Sequence, residues 1–239
     1  MPRHADTEMC FQQKTIKLIA DPYPPYQFKE KNRIKGIDYE IIRSSFGEHQ
    51  MEIAVNLLPW DMCMDSINRK DADGIFQIVR TSEREAILLF SDPLRTARTI
   101  FLRRIGTDIE IRSDMGFKSQ LKDSLLGVLS GYSYNPDING LEKSIKREYQ
   151  SQEGLLKALT VNEVDLILMD SGVAYYLMNR MGVKNIERVP GNEITRELHA
   201  AFLKEKEELR ELFNIGLRSI REKGVYREIF RKYGVPETT

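Results

Sequence analysis

The sequence contains only two cysteines, Cys10 and Cys63. Two cysteines are too few for a disulfide scaffold, and their separation is too large for a CxxC redox or zinc site. Two interpretations remain equally open. Both residues are buried free thiols, or one bridge ties the N-terminal arm to the region of Trp60, which requires an oxidising compartment.

The chain also lacks an excess of either charge and lacks a long apolar run. Its 36 basic and 36 acidic side chains cancel, whereas a nucleic-acid-binding protein normally carries a basic surplus. No apolar stretch approaches the ~20 residues that a membrane-spanning helix needs. With 239 residues, 41% of them hydrophobic and 30% charged, the composition is that of a globular protein with one large or two small domains.

Motifs for nucleotide or metalloprotease chemistry are missing as well. The sequence has no GxGxxG, GxxxxGK[ST] or HExxH pattern. The segment GYSYN at 131–135 resembles the GxSxG nucleophile elbow but lacks its last glycine, and His4, His49 and His199 lie outside any matching context. We therefore predict a protein without a catalytic centre, cofactor or metal site.

The N-terminal segment MPRHADTEMCFQQ has no apolar core, so it is not a secretory signal as it stands. A mature or recombinant form would have lost its signal, and residues 1–7 resemble such a remnant.

The first half of the chain alternates strand and helix patterns. Residues 15–20 alternate apolar and polar side chains, as a strand does, and residues 36–46 place apolar side chains on one helical face. A second strand is predicted at 52–60, a short helix capped by Asp61 follows through Asn68, and a third strand covers 71–79. This βαβαβ order predicts a mostly parallel sheet covered by helices.

The pattern then restarts in a second unit. Strands are predicted at 97–104 and 125–131, helices at 140–148 and 152–159, and a strand buried on both faces at 164–170. A helix with apolar side chains from 173 to 181, a strand at 198–203 and two amphipathic helices complete the chain. Two α/β units result.

Ligands of such sheets bind beyond the carboxyl ends of the strands, so the residues at these exits form one candidate site. The exits combine aromatic rings, hydroxyls, an arginine and an aspartate. This set suits a zwitterionic ligand, whose carboxylate would bind the arginine and whose ammonium would bind the aspartate. The exit segments are Asp21-Pro22-Tyr23, Pro59-Trp60, residues 77–84, Gly131-Tyr132-Ser133 and Asp170-Ser171.

Six segments, in order from about Lys14 to Tyr233, resemble the periplasmic solute-binding proteins of polar amino-acid ABC transporters, family 3. A further pattern, PW…C…DG…T…ER…FS.PL…GYSY, resembles a less characterised branch of that family. The six segments are DPYPPYQF…GIDYEII, PWDMCMDSINRKDADG, TSEREAILLFSDPL, GVLSGYSY, VDLILMDSGVAYYL and LRSIREKGVYREIFRKYG.

The resemblance implies an α/β protein of the type II periplasmic-binding fold, whose two lobes close on a ligand about a hinge. Each lobe is a mostly parallel sheet flanked by helices. Residues 1–94 and 197–239 would form lobe one and residues 95–196 lobe two, with crossovers near Pro93–Arg95 and Glu197.

The resemblance also assigns the two charged ends of the ligand. Arg84 matches the family arginine that grips an α-carboxylate, and Asp170 matches the acid that receives an α-ammonium. The competing interpretations are an Arg84 that pairs with Glu83 or Glu85 on a helix surface, and an Asp170 that caps the following helix. Capping and ligand binding can coexist.

The remaining predicted contacts come from four side chains. Tyr23 and Trp60 match the aromatic pocket walls, although Trp60 also fits a purely core position. Tyr132 and Ser133 match the loop that offers amides and a hydroxyl.

Two positions depart from the family pattern. The family usually has a small residue seven positions before Arg84 and a serine or threonine five positions before it. Here these positions are Gln77, which we also expect in the pocket, and Val79, which cannot donate a hydrogen bond. A ligand of different size, or with a differently placed carboxylate, is therefore an alternative to an α-amino acid.

The resemblance implies a non-catalytic, monomeric, periplasmic receptor that delivers a small carboxylate-bearing ligand, expected to be a polar amino acid, to an ABC-transporter permease. One alternative is a ligand-sensing module of a signalling receptor. Another is a dehydratase-like enzyme on the same scaffold, for which Asp170 is the candidate acid.

Overall fold

The computed structural model describes residues 15–112, 115–121, 123–130, 132, 134 and 136–237. The described strands are β1 (Ile16–Ala20), β2 (Phe28–Glu30), β3 (Arg33–Lys35), β4 (Ile53–Leu57), β5 (Gly74–Ile78), β6 (Leu88–Arg104), β7 (Leu126–Leu129), β8 (Lys146–Tyr149), β9 (Leu166–Asp170) and β10 (Ile186–Leu203). The described helices are α1 (Ile37–Gly47), α2 (Trp60–Asn68), α3 (Ser82–Glu85), α4 (Phe117–Gln120), α5 (Pro136–Asn139), α6 (Gln152–Thr160), α7 (Ser171–Met181), α8 (Glu207–Glu222) and α9 (Val225–Lys232).

Two parallel three-stranded units face each other across a pair of long strands. The sheet order is β4-β1-β5-β10-β6-β9-β7-β8, with β1 parallel to β4 and β5, and β7 parallel to β8 and β9. Strands β6 and β10 are antiparallel to each other and run through both halves. We call the half with β1, β4 and β5 lobe one, and the half with β7, β8 and β9 lobe two.

The long strands change register where they pass between the lobes. In β10 the pairing with β6 shifts between Leu198 and His199 and again between His199 and Ala201, close to the partners Arg95 and Pro93. Such bulges bend a strand and interrupt its ladder. The residues at which we predict the crossovers, near Arg95 and Glu197, therefore lie on paired strands at the irregular part of the β6–β10 pair.

Apolar side chains group into three buried clusters. One lies within lobe two around Phe101 and Leu168, and one between β5 and α2 around Ile75 and Cys63. The largest extends over both lobes and includes Tyr26. The alternation in β1, where Lys17 is exposed between buried neighbours, matches the pattern read from the sequence.

Two local predictions were wrong. The helix predicted at 140–148 is absent: residues 146–149 form β8, which pairs in parallel with β7, and residues 143–145 form a turn. Apolar residues at i and i+4, Leu141 and Ile145, imitate a helical face, but a neighbouring strand edge was available to pair. Asp61 does not cap α2, because the helix already begins at Trp60 after Pro59 and has no side-chain cap.

None of the helices among the described residues combines the length and the apolar character required to cross a membrane.

Close packing of α8 against α1 leads to a first prediction. A Cβ added at Gly216 would lie 2.0 Å from the carbonyl oxygen of Ser45, so the two helix backbones could not keep their distance. We expect Gly216→Ala to lower the free energy of unfolding by about 1–3 kcal/mol, despite the better helix propensity of alanine. Urea denaturation measures the change.

Gly47→Ala is the matched control, because Gly47 ends α1 on the same helix pair and has no atom within 4 Å of an added Cβ. Equal stability of the two variants would contradict the close approach of α1 and α8.

Candidate functional site

Side chains from both lobes surround one cavity of about 380 Å³ at the carboxyl ends of the parallel strands. Charged and aromatic groups predominate in its wall. The lining residues are Asp21, Tyr23, Trp60, Gln77, Val79, Arg84, Arg95, Ala97, Tyr132, Asp170, Arg196 and Leu198.

The fold explains why these residues meet. Asp21 follows β1 directly, Trp60 begins the helix after β4, and Gln77 lies near the end of β5. Asp170 ends β9 in the other lobe, and Arg95 lies where β6 passes between lobes. Parallel strands end at the same sheet edge, so residues far apart in sequence reach one crevice.

Arg84 has a guanidinium without a carboxylate partner among the described residues. Its Nη1 donates to the Val79 carbonyl oxygen at 2.8 Å, and its Cζ lies 4.8 Å from the centre of the Trp60 ring. Burial lowers the pKa of Arg84, against a smaller opposing effect of Glu83. The ring and the carbonyl orient the side chain and leave guanidinium donors for an anion.

Arg80, not Arg84, forms an ion pair with the nearby carboxylate of Glu85. It binds Glu85 at 2.5 Å, and both side chains are exposed. Arg84 itself forms no ion pair with Glu83 or Glu85 among the described residues, so this structure lacks the surface pair of that alternative. Thr81 caps the short helix α3 by accepting from the backbone N–H of Arg84 at 3.3 Å.

Asp170 is buried, with 5% of its surface exposed, and it caps α7 as predicted. Its Oδ1 accepts from the backbone N–H of Val173 at 3.1 Å and from the Tyr26 hydroxyl at 2.5 Å. No donor among the described residues bonds Oδ2. Capping therefore leaves one carboxylate oxygen unused at the cavity wall.

Two further wall residues carry buried polar atoms without hydrogen-bond partners, the Tyr23 hydroxyl and Gln77 Oε1. Burial, reinforced by the charge of Asp170 and the neighbouring Tyr132, raises the pKa of Tyr23 well above its ordinary value. Gln77 also has a left-handed backbone with φ of 60°, which is uncommon for a residue with a side chain. Strain and unpaired polar atoms concentrate at binding sites.

Tyr132 lies on the lobe-two side of the cavity, and its ring packs against Tyr134 with centroids 5.0 Å apart. Burial, with the charge of Asp170, raises the pKa of Tyr132. Ser133 and Cys10 lie outside the described residues. Cys63 is a buried free thiol whose Sγ donates to the Leu58 carbonyl oxygen at 3.3 Å.

Arg95 lines the cavity wall and was not among the site residues predicted from the sequence. It is 2% exposed, and its Nε donates to Oδ1 of the fully buried Asp38 at 2.7 Å. Its Cζ lies 3.3 Å from the centre of the Tyr26 ring. Burial opposes the charge of Arg95, but Asp38, Tyr26 and Asp170 outweigh that effect and raise its pKa.

A sequence signal for this pair existed. Asp38 is charged yet lies on the apolar face of α1, and Arg95 interrupts a strand beside the buried Leu94. Two opposite charges at otherwise buried positions indicate a buried ion pair.

A wider groove of about 930 Å³ lies elsewhere, between β3, α1 and α9. Its wall consists largely of charged side chains such as Arg33, Lys35 and Arg43, and no strand exit of the parallel units contributes to it. The cavity around Arg84 and Asp170 is therefore the candidate site.

Comparisons with known proteins agree with this architecture. A Bacillus subtilis protein named probable amino-acid-binding protein YxeM is 26% identical over 215 residues, which cover 87% of this chain and 79% of that protein. A probable histidine-binding protein of Neisseria gonorrhoeae is 21% identical over 90% of this chain and 81% of its own length.

Among solved structures, the open second substrate-binding domain of Lactococcus lactis GlnP superposes with a TM-score of 0.75. It is 19% identical and covers 93% of this chain and 96% of that domain, a likeness that shows the type II periplasmic-binding fold. The model of one family matches residues 16–236, nearly the whole described chain. The chain therefore belongs to the bacterial extracellular solute-binding proteins, family 3.

Proposed function

We propose that this protein captures a small carboxylate-bearing ligand, a polar amino acid, between its two lobes. The observation that carries the proposal is the guanidinium of Arg84, which has no carboxylate partner among the described residues and lies on the Trp60 ring in the same cavity wall as the carboxylate of Asp170. A cation and an anion in one small cavity match the two charged ends of a zwitterion.

The lobes would take the boundaries predicted from the sequence, residues 1–94 with 197–239 and residues 95–196. Ligand would first meet lobe one, where Arg84 and the Tyr23 and Trp60 rings lie. Lobe two then closes and adds Asp170, Tyr132 and Ser133. Only a ligand that contacts both lobes favours the closed state.

Closure also strengthens the charge contacts. Exclusion of water lowers the local dielectric, so an ion pair between ligand and protein gains energy that an exposed pair does not. Gln77 fills space near Arg84 and offers an amide, which supports a ligand with a polar side chain or a shifted carboxylate. The names of relatives that bind amino acids support the same ligand class.

The role of Asp170 yields a second prediction. Asn caps helices about as well as Asp, so Asp170→Asn keeps α7 capped while it removes the negative charge. We expect an α-amino acid ligand to bind roughly 10-fold or more weakly, since a hydrogen bond to a charged group is lost. Isothermal titration calorimetry measures the change.

The deamino analogue of the same ligand is the control, because it has no ammonium group for Asp170 to bind. Its affinity should be equal in wild type and Asp170→Asn. If the variant binds the amino acid as tightly as wild type does, Asp170 does not bind the ligand ammonium.

A thermal-shift screen of amino acids and small carboxylates tests the proposed function itself. A true ligand at 100 times its dissociation constant adds about 2.7 kcal/mol to the stability of the folded state. If no compound of either class stabilises the protein, the proposal fails. Turnover of a bound carboxylate, lost in Asp170→Asn with binding retained, would instead indicate the enzymatic alternative.

The receptor would act as a monomer outside the cytoplasm and pass its ligand to the permease of an ABC transporter. Membership of an extracellular solute-binding family supports this placement. Ligand-dependent ATPase stimulation of the reconstituted transporter tests it. A transporter that ignores the loaded receptor would favour the sensing alternative.

A further inference from the structure

The guanidinium of Arg95 is buried and only partly used. Its Nε donates to Asp38, but within the described part of the chain Nη1 and Nη2 have no hydrogen-bond partner, although both atoms are buried. Arg95 also forms part of the wall of the cavity that holds Arg84 and Asp170. Buried donors without acceptors are costly, so a pair of them in a binding cavity requires an explanation.

Geometry restricts what can satisfy these donors. The N–H groups of arginine point outward in the plane of the guanidinium. Tyr26 covers one face of that plane, and Asp38 takes the Nε position. Only the end of the guanidinium that carries Nη1 and Nη2 then remains for a further hydrogen-bond acceptor. A carboxylate is the acceptor that matches two parallel N–H groups.

The fixed anions of the site do not supply that acceptor. Oδ2 of Asp38 forms no hydrogen bond. Asp170 directs Oδ1 to Tyr26 and to the α7 backbone, and no hydrogen bond joins Asp21 or Asp170 to the Arg95 guanidinium among the described residues. The cavity wall therefore contains more basic than acidic side chains, three arginines against two aspartates.

From this arrangement we infer that Arg95 binds a second carboxylate of the ligand, which is therefore a small dicarboxylic compound such as an acidic amino acid. The inference rests on the proposed function and narrows its ligand class. Arg84 receives one carboxylate, Asp170 receives the ammonium where the ligand has one, and the Nη atoms of Arg95 receive the other carboxylate. Arg95 is thus a specificity-determining residue at the hinge strand, buried where ligand and both lobes meet.

Matched acid and amide pairs test the inference on the wild-type protein. Calorimetry with L-glutamate against L-glutamine, and with L-aspartate against L-asparagine, changes one ligand group at nearly constant shape. We expect the acid of at least one pair to bind about 10-fold or more tightly than its amide, the gain typical of a charge-assisted hydrogen bond.

A double variant locates the selectivity. Arg95→Met with Asp38→Asn removes the buried pair together, so no lone charge remains in the core. In this variant the ratio of acid to amide affinity should fall towards one. A ratio unchanged from wild type would overturn the assignment to Arg95.

The wild-type result decides the matter even if the double variant does not fold. If the amides, or neutral or cationic amino acids, bind as tightly as the acids or more tightly, Arg95 is a structural counter-ion only and the inference falls while the proposed function stands. If no amino acid or carboxylate binds, both fall.

Discussion

Replacing Arg84 with alanine is expected to abolish the ligand-dependent rise in melting temperature. The side chain is half-buried and makes no ion pair within the described part of the chain, so the stability of the free protein should change little. Loss of the guanidinium leaves a desolvated ligand carboxylate without its partner, which costs about 2–5 kcal/mol of binding free energy. Thermal shift with the ligand found for wild type measures the effect.

Arg80→Ala is the matched control. Arg80 lies four residues away, carries the same charge and is exposed with Glu85 as its partner. Its removal should leave the ligand-dependent shift intact, because exposed ion pairs contribute only about 0–1 kcal/mol and this one is outside the cavity. If the ligand raises the melting temperature of Arg84→Ala as much as that of wild type, Arg84 does not bind the ligand.

Replacing Arg95 alone with methionine is expected to destabilise the free protein by about 3–5 kcal/mol, since the substitution leaves the carboxylate of Asp38 buried without its counter-charge. Asp38 is completely buried, and its side chain accepts a hydrogen bond only from Arg95 among the described residues. Burial already raises the pKa of Asp38 against the opposing effect of Arg95. Urea denaturation without ligand measures the loss.

The second substitution, Asp38→Asn in the Arg95→Met background, should recover most of that loss, because it removes the uncompensated charge. The same double variant therefore serves the binding test above. A single variant as stable as wild type, or a double variant no more stable than the single one, would show that the pair is not coupled.

Most of the binding site was accessible from sequence because one rule applied throughout. Strand exits of parallel units converge, and six predicted residues, Tyr23, Trp60, Gln77, Arg84, Tyr132 and Asp170, do line one cavity. Their roles towards a ligand stay predictions. The prediction of Asp170 as a helix cap is confirmed by its bond to Val173.

The failures were of two physical kinds. A helix was predicted at 140–148, where residues 146–149 form β8, because the spacing of apolar residues carries no information on a strand edge elsewhere in the chain. The buried pair of Arg95 and Asp38 was missed because the two residues are 57 positions apart and the stacking partner Tyr26 is further still. Pairing between distant residues leaves no periodic trace.

The amino-acid sequence alone determined the two α/β units and the family, since these follow from local periodicity and motif order. Only the tertiary structure decided which charges are paired and which are free. In the folded chain Arg80 pairs with Glu85, and the Arg84 guanidinium lies over the Trp60 ring. Arg95 is buried, and its Nη1 and Nη2 have no acceptor among the described residues. The physical reason is that burial and hydrogen bonding depend on distances between segments, which no local pattern encodes.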